Sequence, residues 1–274
     1  MVLLDKLQAM EQNMLHAVQY NESQTLSYAE YGDTHGYPIL IQHGAIASIR
    51  DYELFKRLIH WRARVLCIAR PGYGESSPYQ MQNIAEWANI IAVLIDELHL
   101  TQFDILGMSS GSPYSYAIGY KFPEKVRNIY ILSGTPALYD DKILSSWPYP
   151  VNKHASIAEM EQVAHDVFFP NVSPKDLTRN DISDSMRNNC FGIALDLKLR
   201  YMDWGFTLVE VHAPVFMQHC KQDKTVPVVT AVMTSELLPH CILELKEEGQ
   251  HFSNEVLDKF ISEVMANYYK HPNM

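Results

Sequence analysis

Cysteine is sparse in this chain of 274 residues, and the four present form no Cys-x-x-Cys pair: they are Cys67, Cys190, Cys220 and Cys241. That spacing supports neither a zinc site nor a disulfide framework, and no metal or cofactor is expected. Three of the four lie in apolar runs ("VLCIAR", "VFMQHC", "CILELK") and are expected as buried free thiols in strands. Basic charge is also short. The chain has 22 Lys and Arg against 32 Asp and Glu, a net charge of −10, with no basic block or stripe, so nucleic acid is not an expected partner. No apolar run approaches the roughly 20 residues that a membrane-spanning helix needs. The first residues, "MVLLDKLQAMEQNMLHAVQ", lack the apolar core and cleavage site of a signal peptide. Their apolar positions recur at helical spacing and predict an N-terminal helical extension over residues 1–22. Internal repeats and low-complexity segments are absent as well. Together these absences lead to the expectation of a soluble, cytoplasmic protein that acts on a small molecule.

The length suits one core with an insertion better than two equal domains. Short β-rich runs alternate with longer helical patterns, as in an α/β protein with a mostly parallel sheet covered on both faces. The runs are "QTLSYAEYG" (24–32), "YPILIQH" (37–43), "ARVLCIA" (63–69), "FDILG" (103–107), "VRNIYILS" (126–133), "APVFMQHC" (213–220) and "CILELKE" (241–247). Most are nearly continuous apolar stretches, which suits strands buried on both faces. The first alternates more clearly and is expected at an antiparallel edge. Residues 82–98 place Ile84, Trp87, Ile91, Leu94, Ile95 and Leu98 on one helical stripe. Residues 252–269 form a predicted C-terminal helix packed across the sheet.

Between about 138 and 210 the alternation stops, and the stretch is too long for a connecting loop. "SIAE" (156–159) is a capping-box pattern, followed by Met160, Val163, Ala164 and Val167 on one predicted face. "SPKD" (173–176) predicts another helix start, with Pro174 at its first position. The expected organisation is a core of 1–137 and 211–274 with an inserted helical cap at 138–210.

The stretch "FDILGMSSGSPYSYAIGYKF" reads as strand, sharp turn and helix. In a Gly-x-Ser-x-Gly elbow the central serine occupies a strained turn, and the residues two before and two after it have no room for a β-carbon. Gly107 and Gly111 flank Ser109 in this way, whereas Ser110 would need glycines where Met108 and Ser112 stand. Ser109 is therefore the candidate nucleophile, and the Ser110 amide, at the opening of a helix, is a candidate oxyanion donor. A serine needs a base, and the base needs a carboxylate to hold its tautomer. "QDKTVP" (222–227) and "EEGQHFSN" (247–254) each follow a predicted strand, which puts Asp223 and His251 in loops beyond strand ends. The order Ser109, Asp223, His251 is that of the nucleophile-elbow hydrolases. Asp140 and Asp141 are second candidates for the acid, and His219 and His240 for the base, although both histidines fall in or beside strands. "LIQHGAIAS" ends a strand at His43-Gly44; the Ala45 amide is the second candidate oxyanion donor, and His43 is expected to be a buried structural histidine.

With "HGA" (43–45), "RPGYGES" (70–76), "GMSSG" (107–111), "QDKTVP" and "GQHFS" (249–253), the chain resembles an α/β-hydrolase over residues 23–269. The segments "GSPYSYAIGYKFPEKVRNIYILSG" and "WGFTLVEVHAPV" (204–215) resemble capped bacterial α/β-hydrolases. The resemblance implies an eight-stranded, mostly parallel sheet with a helical lid, and no metal or cofactor. Ser109 stands where haloalkane dehalogenases and epoxide hydrolases carry Asp. The chain also lacks an HGGG run and the tryptophan of proline iminopeptidases, and has Ile46 where many relatives have proline. The expected activity is serine-dependent hydrolysis of a small or medium, largely apolar ester through an acyl-enzyme. A carbon–carbon bond hydrolase or a cofactor-free perhydrolase would use the same triad, and a non-catalytic ligand-binding protein could share the fold. Of Tyr139, Trp147, Tyr149, Phe168, Phe169, Tyr201, Trp204 and Phe206, a minority are expected to line a pocket above Ser109. Arg179, Arg187 and Arg200 are read as solvated surface residues in preference to carboxylate ligands. No exposed face can be read from the sequence, so it assigns no oligomeric state.

Overall fold

The β-branched and aliphatic runs condense into a single sheet. In a computed structural model describing residues 14–266, its strands are β1 (Leu15–Gln19), β2 (Thr25–Gly32), β3 (Pro38–Gln42), β4 (Arg64–Ile68), β5 (Phe103–Met108), β6 (Val126–Leu132), β7 (Val215–Cys220) and β8 (Cys241–Lys246). Their spatial order is β1-β2-β4-β3-β5-β6-β7-β8. β2 runs antiparallel to both β1 and β4, and every other pairing is parallel. This is the mostly parallel α/β sheet expected from the sequence, with the eight strands that the family resemblance implied; the seven runs read from the residues are joined by β1. All six residues of β5 are buried, which accounts for its unbroken apolar reading.

The helices of the fold are α1 (Lys56–His60), α2 (Ala85–Glu97), α3 (Ser112–Lys121), α4 (Asp141–Ser145), α5 (Ile157–Phe168), α6 (Asn180–Ser185), α7 (Arg187–Leu199), α8 (Val228–Glu236) and α9 (Asn254–Phe260). α2 buries the predicted stripe, with Trp87, Ile91, Leu94 and Ile95 inside one core layer and Leu98 half-buried. On the other face, Leu58 of α1 and Leu257 and Phe260 of α9 pack on Ile39, Ile41 and Val65. α9 continues as a π-turn over Ile261–Met265, which buries Ile261 and Met265 in the same layer.

Four local expectations are corrected. The helical reading of residues 1–22 fails at 15–19, which pair with β2 from Leu15↔Ala29 to Gln19↔Thr25; residues 1–13 lie outside the described residues. The exposed edge of β2 satisfies the backbone of this segment, a tertiary gain that outweighs its helical spacing. Consequently β2 is antiparallel as expected, but β1 takes the edge position. "SPKD" opens no full helix: Ser173 and Asp176 bond each other reciprocally, and the turn ends as a 3-10 segment over Asp176–Thr178. Its one large apolar residue, Leu177, is exposed, so nothing anchors a longer helix. The capping box at Ser156 and Glu159 forms, but the face behind it divides. Met160 and Ala164 are buried, while Val163 and Val167 are exposed, on the wall of a cavity.

Candidate active site

β5 delivers Ser109 into a turn that ordinary side chains avoid. Its φ is +47°, a left-handed conformation costing about 1–3 kcal/mol for a residue with a β-carbon. The turn is held from two sides, because the Ser112 hydroxyl and the Thr135 amide both donate to the Ser109 carbonyl, at 2.9 and 3.0 Å. The flanking glycines are required sterically. A β-carbon on Gly107 would lie 2.3 Å from Ser115 Oγ, and one on Gly111 would lie 2.0 Å from the Gln42 carbonyl oxygen.

The loops beyond β7 and β8 bring the other two residues to this turn. His251 Nε2 lies 2.8 Å from Ser109 Oγ, and His251 Nδ1 lies 2.7 Å from Asp223 Oδ2. With Nδ1–H directed at the carboxylate, Nε2 is left as the acceptor for the serine proton. The other Asp223 oxygen accepts from the amides of Thr225 and Val226 at 2.7 and 2.9 Å. The Asp223 side chain is fully buried. Burial pushes its pKa up, but the hydrogen bond and charge of His251 and the two amides outweigh that and hold it below the usual carboxylate value.

The remaining candidates fall elsewhere. Asp140 caps α4, accepting from the amides of Lys142 and Ile143, and Asp141 opens that helix. His219 is buried behind Asp223: its Nε2 donates to the Val226 carbonyl at 2.9 Å and lies 3.3 Å from Asp223 Oδ2. His240 is exposed, and its carbonyl accepts from Val215 at 2.8 Å. His43 is buried, as expected. Its Nδ1 donates to the Gly44 carbonyl and its Nε2 accepts from the Arg70 amide. Burial, helped by the Arg70 charge, drives its pKa well below that of free histidine.

Ala45 and Ser110 border the same cavity as Ser109 and His251, a space of about 1320 Å³. Of the aromatics singled out from the sequence, Trp147, Tyr149, Phe168 and Tyr201 line it. Trp204, Phe206 and Phe169 are buried in the core, and Tyr139 is half-buried against it. Tyr52, which no sequence pattern marked, and Phe252, next to His251 in "GQHFS", also face the cavity. Two sets of contacts brace the loop that carries Ala45. Beneath it, the Arg70 guanidinium donates to the carbonyls of His43 (2.6 Å) and Gly44 (3.3 Å) and pairs with Asp196 of α7 at 2.6 Å. Tyr73 and Tyr114 also donate to Asp196, at 2.9 and 2.7 Å. From α6, Ser185 Oγ accepts from the Ala47 amide at 2.9 Å, and Asp184 bonds Ser48 and pairs with Arg50. "RPGYGES" was a recognisable signal for Arg70, but its partner 126 residues away was not.

Among the described residues, no cluster of His, Cys, Asp and Glu could hold a metal ion, and no helix is long and apolar enough to cross a membrane. The chain belongs to the alpha/beta hydrolase fold family, whose model matches residues 37–256. Among curated proteins it is similar to a 2-hydroxy-6-oxononadienedioate/2-hydroxy-6-oxononatrienedioate hydrolase of Cupriavidus pinatubonensis, 21% identical over 84% of this chain and 86% of that protein. It is also 22% identical to the dihydrolipoyllysine-residue acetyltransferase component of an acetoin cleaving system from Pseudomonas putida. That match covers 59% of this chain and only 43% of the relative's length. Among solved structures, an esterase from Exiguobacterium antarcticum superposes with a TM-score of 0.71 at 20% identity, covering 93% of this chain and 98% of that one.

Proposed function

We propose that this protein is a serine hydrolase that cleaves a small or medium, largely apolar ester through an acyl-enzyme. The observation that carries the reading is the unbroken hydrogen-bond chain from Asp223 through His251 to Ser109, opening on one cavity. In this reading His251 takes the Ser109 proton as the oxygen attacks the acyl carbon, and Asp223 stabilises the imidazolium that forms. The amides of Ser110 and Ala45 receive the oxyanion; losing one such donor typically costs about 3–4 kcal/mol. His251 then protonates the leaving alcohol and activates the water that releases the acid. Residues 138–210 act as a cap whose aromatic side chains exclude water and define the acyl pocket.

A panel of p-nitrophenyl esters of increasing chain length tests the proposal. Wild type should turn over short and medium esters, and Ser109→Ala should lose on the order of 10⁴-fold or more in kcat while keeping its circular dichroism. Esterase activity retained by a folded Ser109→Ala protein would refute the assignment. The name of the Cupriavidus relative favours one second reading, hydrolysis of a carbon–carbon bond in a vinylogous diketone by the same residues. Turnover of such a compound with no activity on simple esters would select it.

A further inference from the structure

Three arginines line the cavity. Arg50 is paired with Asp184 at 2.7 Å, and Arg179 with Asp181 at 2.6 Å. Arg200, just past the end of α7, has no carboxylate partner among the described residues. Of the two acids that flank it in sequence, Asp203 is exposed and accepts from the Gly205 amide, and both oxygens of Asp196 are taken up by Arg70, Tyr73 and Tyr114. Arg200 Nη2 donates to the Tyr201 hydroxyl, and its Nε is buried with no hydrogen-bond partner. The guanidinium carbon lies 5.4 Å from the Trp147 ring centroid and 4.5 Å from that of Tyr201. These two rings also line the cavity, and they are joined by a 3.1 Å bond from Trp147 Nε1 to the Tyr201 hydroxyl.

The residue as a whole is half-buried, but its Nε is shut off from solvent. An arginine cannot escape that by losing its proton, so the idle donor and the unpaired charge leave the site less stable than one with a counter-ion. The two aromatic faces and the carboxyl end of α7 offset part of that cost but supply no hydrogen-bond acceptor for Nε. Burial pushes the Arg200 pKa down, against the smaller opposing pulls of Tyr201, Asp196 and Tyr149. The planar fork of an arginine is matched by a carboxylate, which can accept two parallel N–H bonds and would also engage the idle Nε.

We propose that Arg200 is a binding residue for a carboxylate at the end of the acyl group remote from the scissile bond. The preferred substrates are then half-esters of dicarboxylic acids. Water adds across the acyl C–O bond, so an alcohol leaves and a dicarboxylate is released, with its second carboxylate on Arg200. This deepens the ester reading above and rests on it. It also reverses the expectation that Arg200 is a solvated surface residue; Arg187, paired with exposed Glu75, does sit at the surface.

The test compares p-nitrophenyl hydrogen succinate, glutarate and adipate with neutral p-nitrophenyl esters of equal chain length, on wild type and on Arg200→Gln and Arg200→Lys. At least one half-ester should exceed its neutral counterpart in kcat/KM for wild type. Arg200→Gln should lower that ratio at least tenfold, mainly through KM, and Arg200→Lys should restore part of it. Half-esters no better than neutral esters in wild type, or an equal loss on both classes, would overturn the proposal. A calorimetric titration of Ser109→Ala with the free dicarboxylates separates this inference from the ester reading. Saturable binding that Arg200→Gln abolishes would uphold the anion site even if no ester were turned over, and no binding together with no half-ester preference would remove it.

Discussion

His43 and His219 are buried, and burial lowers the pKa of both below that of free histidine, in His43 with help from the Arg70 charge and in His219 against the opposing pull of Asp223. Their free value, about 6.5, applies to the unfolded chain. Below that pH the unfolded state takes up protons that the folded state refuses, so stability is complete above about pH 6.5 and falls as pH drops towards the folded values. Each histidine adds up to about 1.4 kcal/mol per pH unit over that interval. Urea unfolding between pH 7.5 and 5 should therefore show falling stability, with a shallower slope in His219→Asn; an identical slope in that variant would contradict the account. At this scale the sequence was informative wherever chemistry imposes a local pattern. The glycine spacing around Ser109 is such a pattern, because Gly107 and Gly111 each face an atom 2.0–2.3 Å from where a β-carbon would sit. The state of Arg200 was hidden, since whether an arginine finds a carboxylate depends on neighbours brought in by the fold.

Among the elements, strands buried on both faces were the most legible, and segments whose conformation is decided by a neighbour were the least. β1 carries helical spacing but completes a sheet edge. α5 carries a four-residue apolar face, of which Met160 and Ala164 are buried while Val163 and Val167 stay exposed on the cavity wall. A comparable long-range tie joins α7 to the loop after β3 through Arg70 and Asp196, whose side chains are 1% and 5% exposed. Removing one member of a buried pair leaves an uncompensated charge, typically at a cost of about 3–5 kcal/mol. Arg70→Met should lose stability of that order in chemical denaturation, because Asp196 would keep only two tyrosine hydroxyls. A loss under about 1 kcal/mol would show that the pair does not hold these elements together.

Over the whole molecule, the order of strands and helices was enough to indicate the sheet, because parallel strands need crossovers and the helical runs between them supply these. That topology puts the carboxyl ends of β5, β7 and β8 along one rim, so residues far apart in the chain meet there. Their meeting is the basis of the proposed activity: an imidazole poised to deprotonate one serine at the opening of a large cavity. The most direct measurement is peptide mapping by mass spectrometry after exposure to a fluorophosphonate, which bonds only to an activated hydroxyl. The account predicts a single adduct on Ser109, absent from Ser109→Ala and much slower to form in His251→Ala. An adduct on Ser110 or on another residue, or no adduct on the folded wild-type protein, would contradict it.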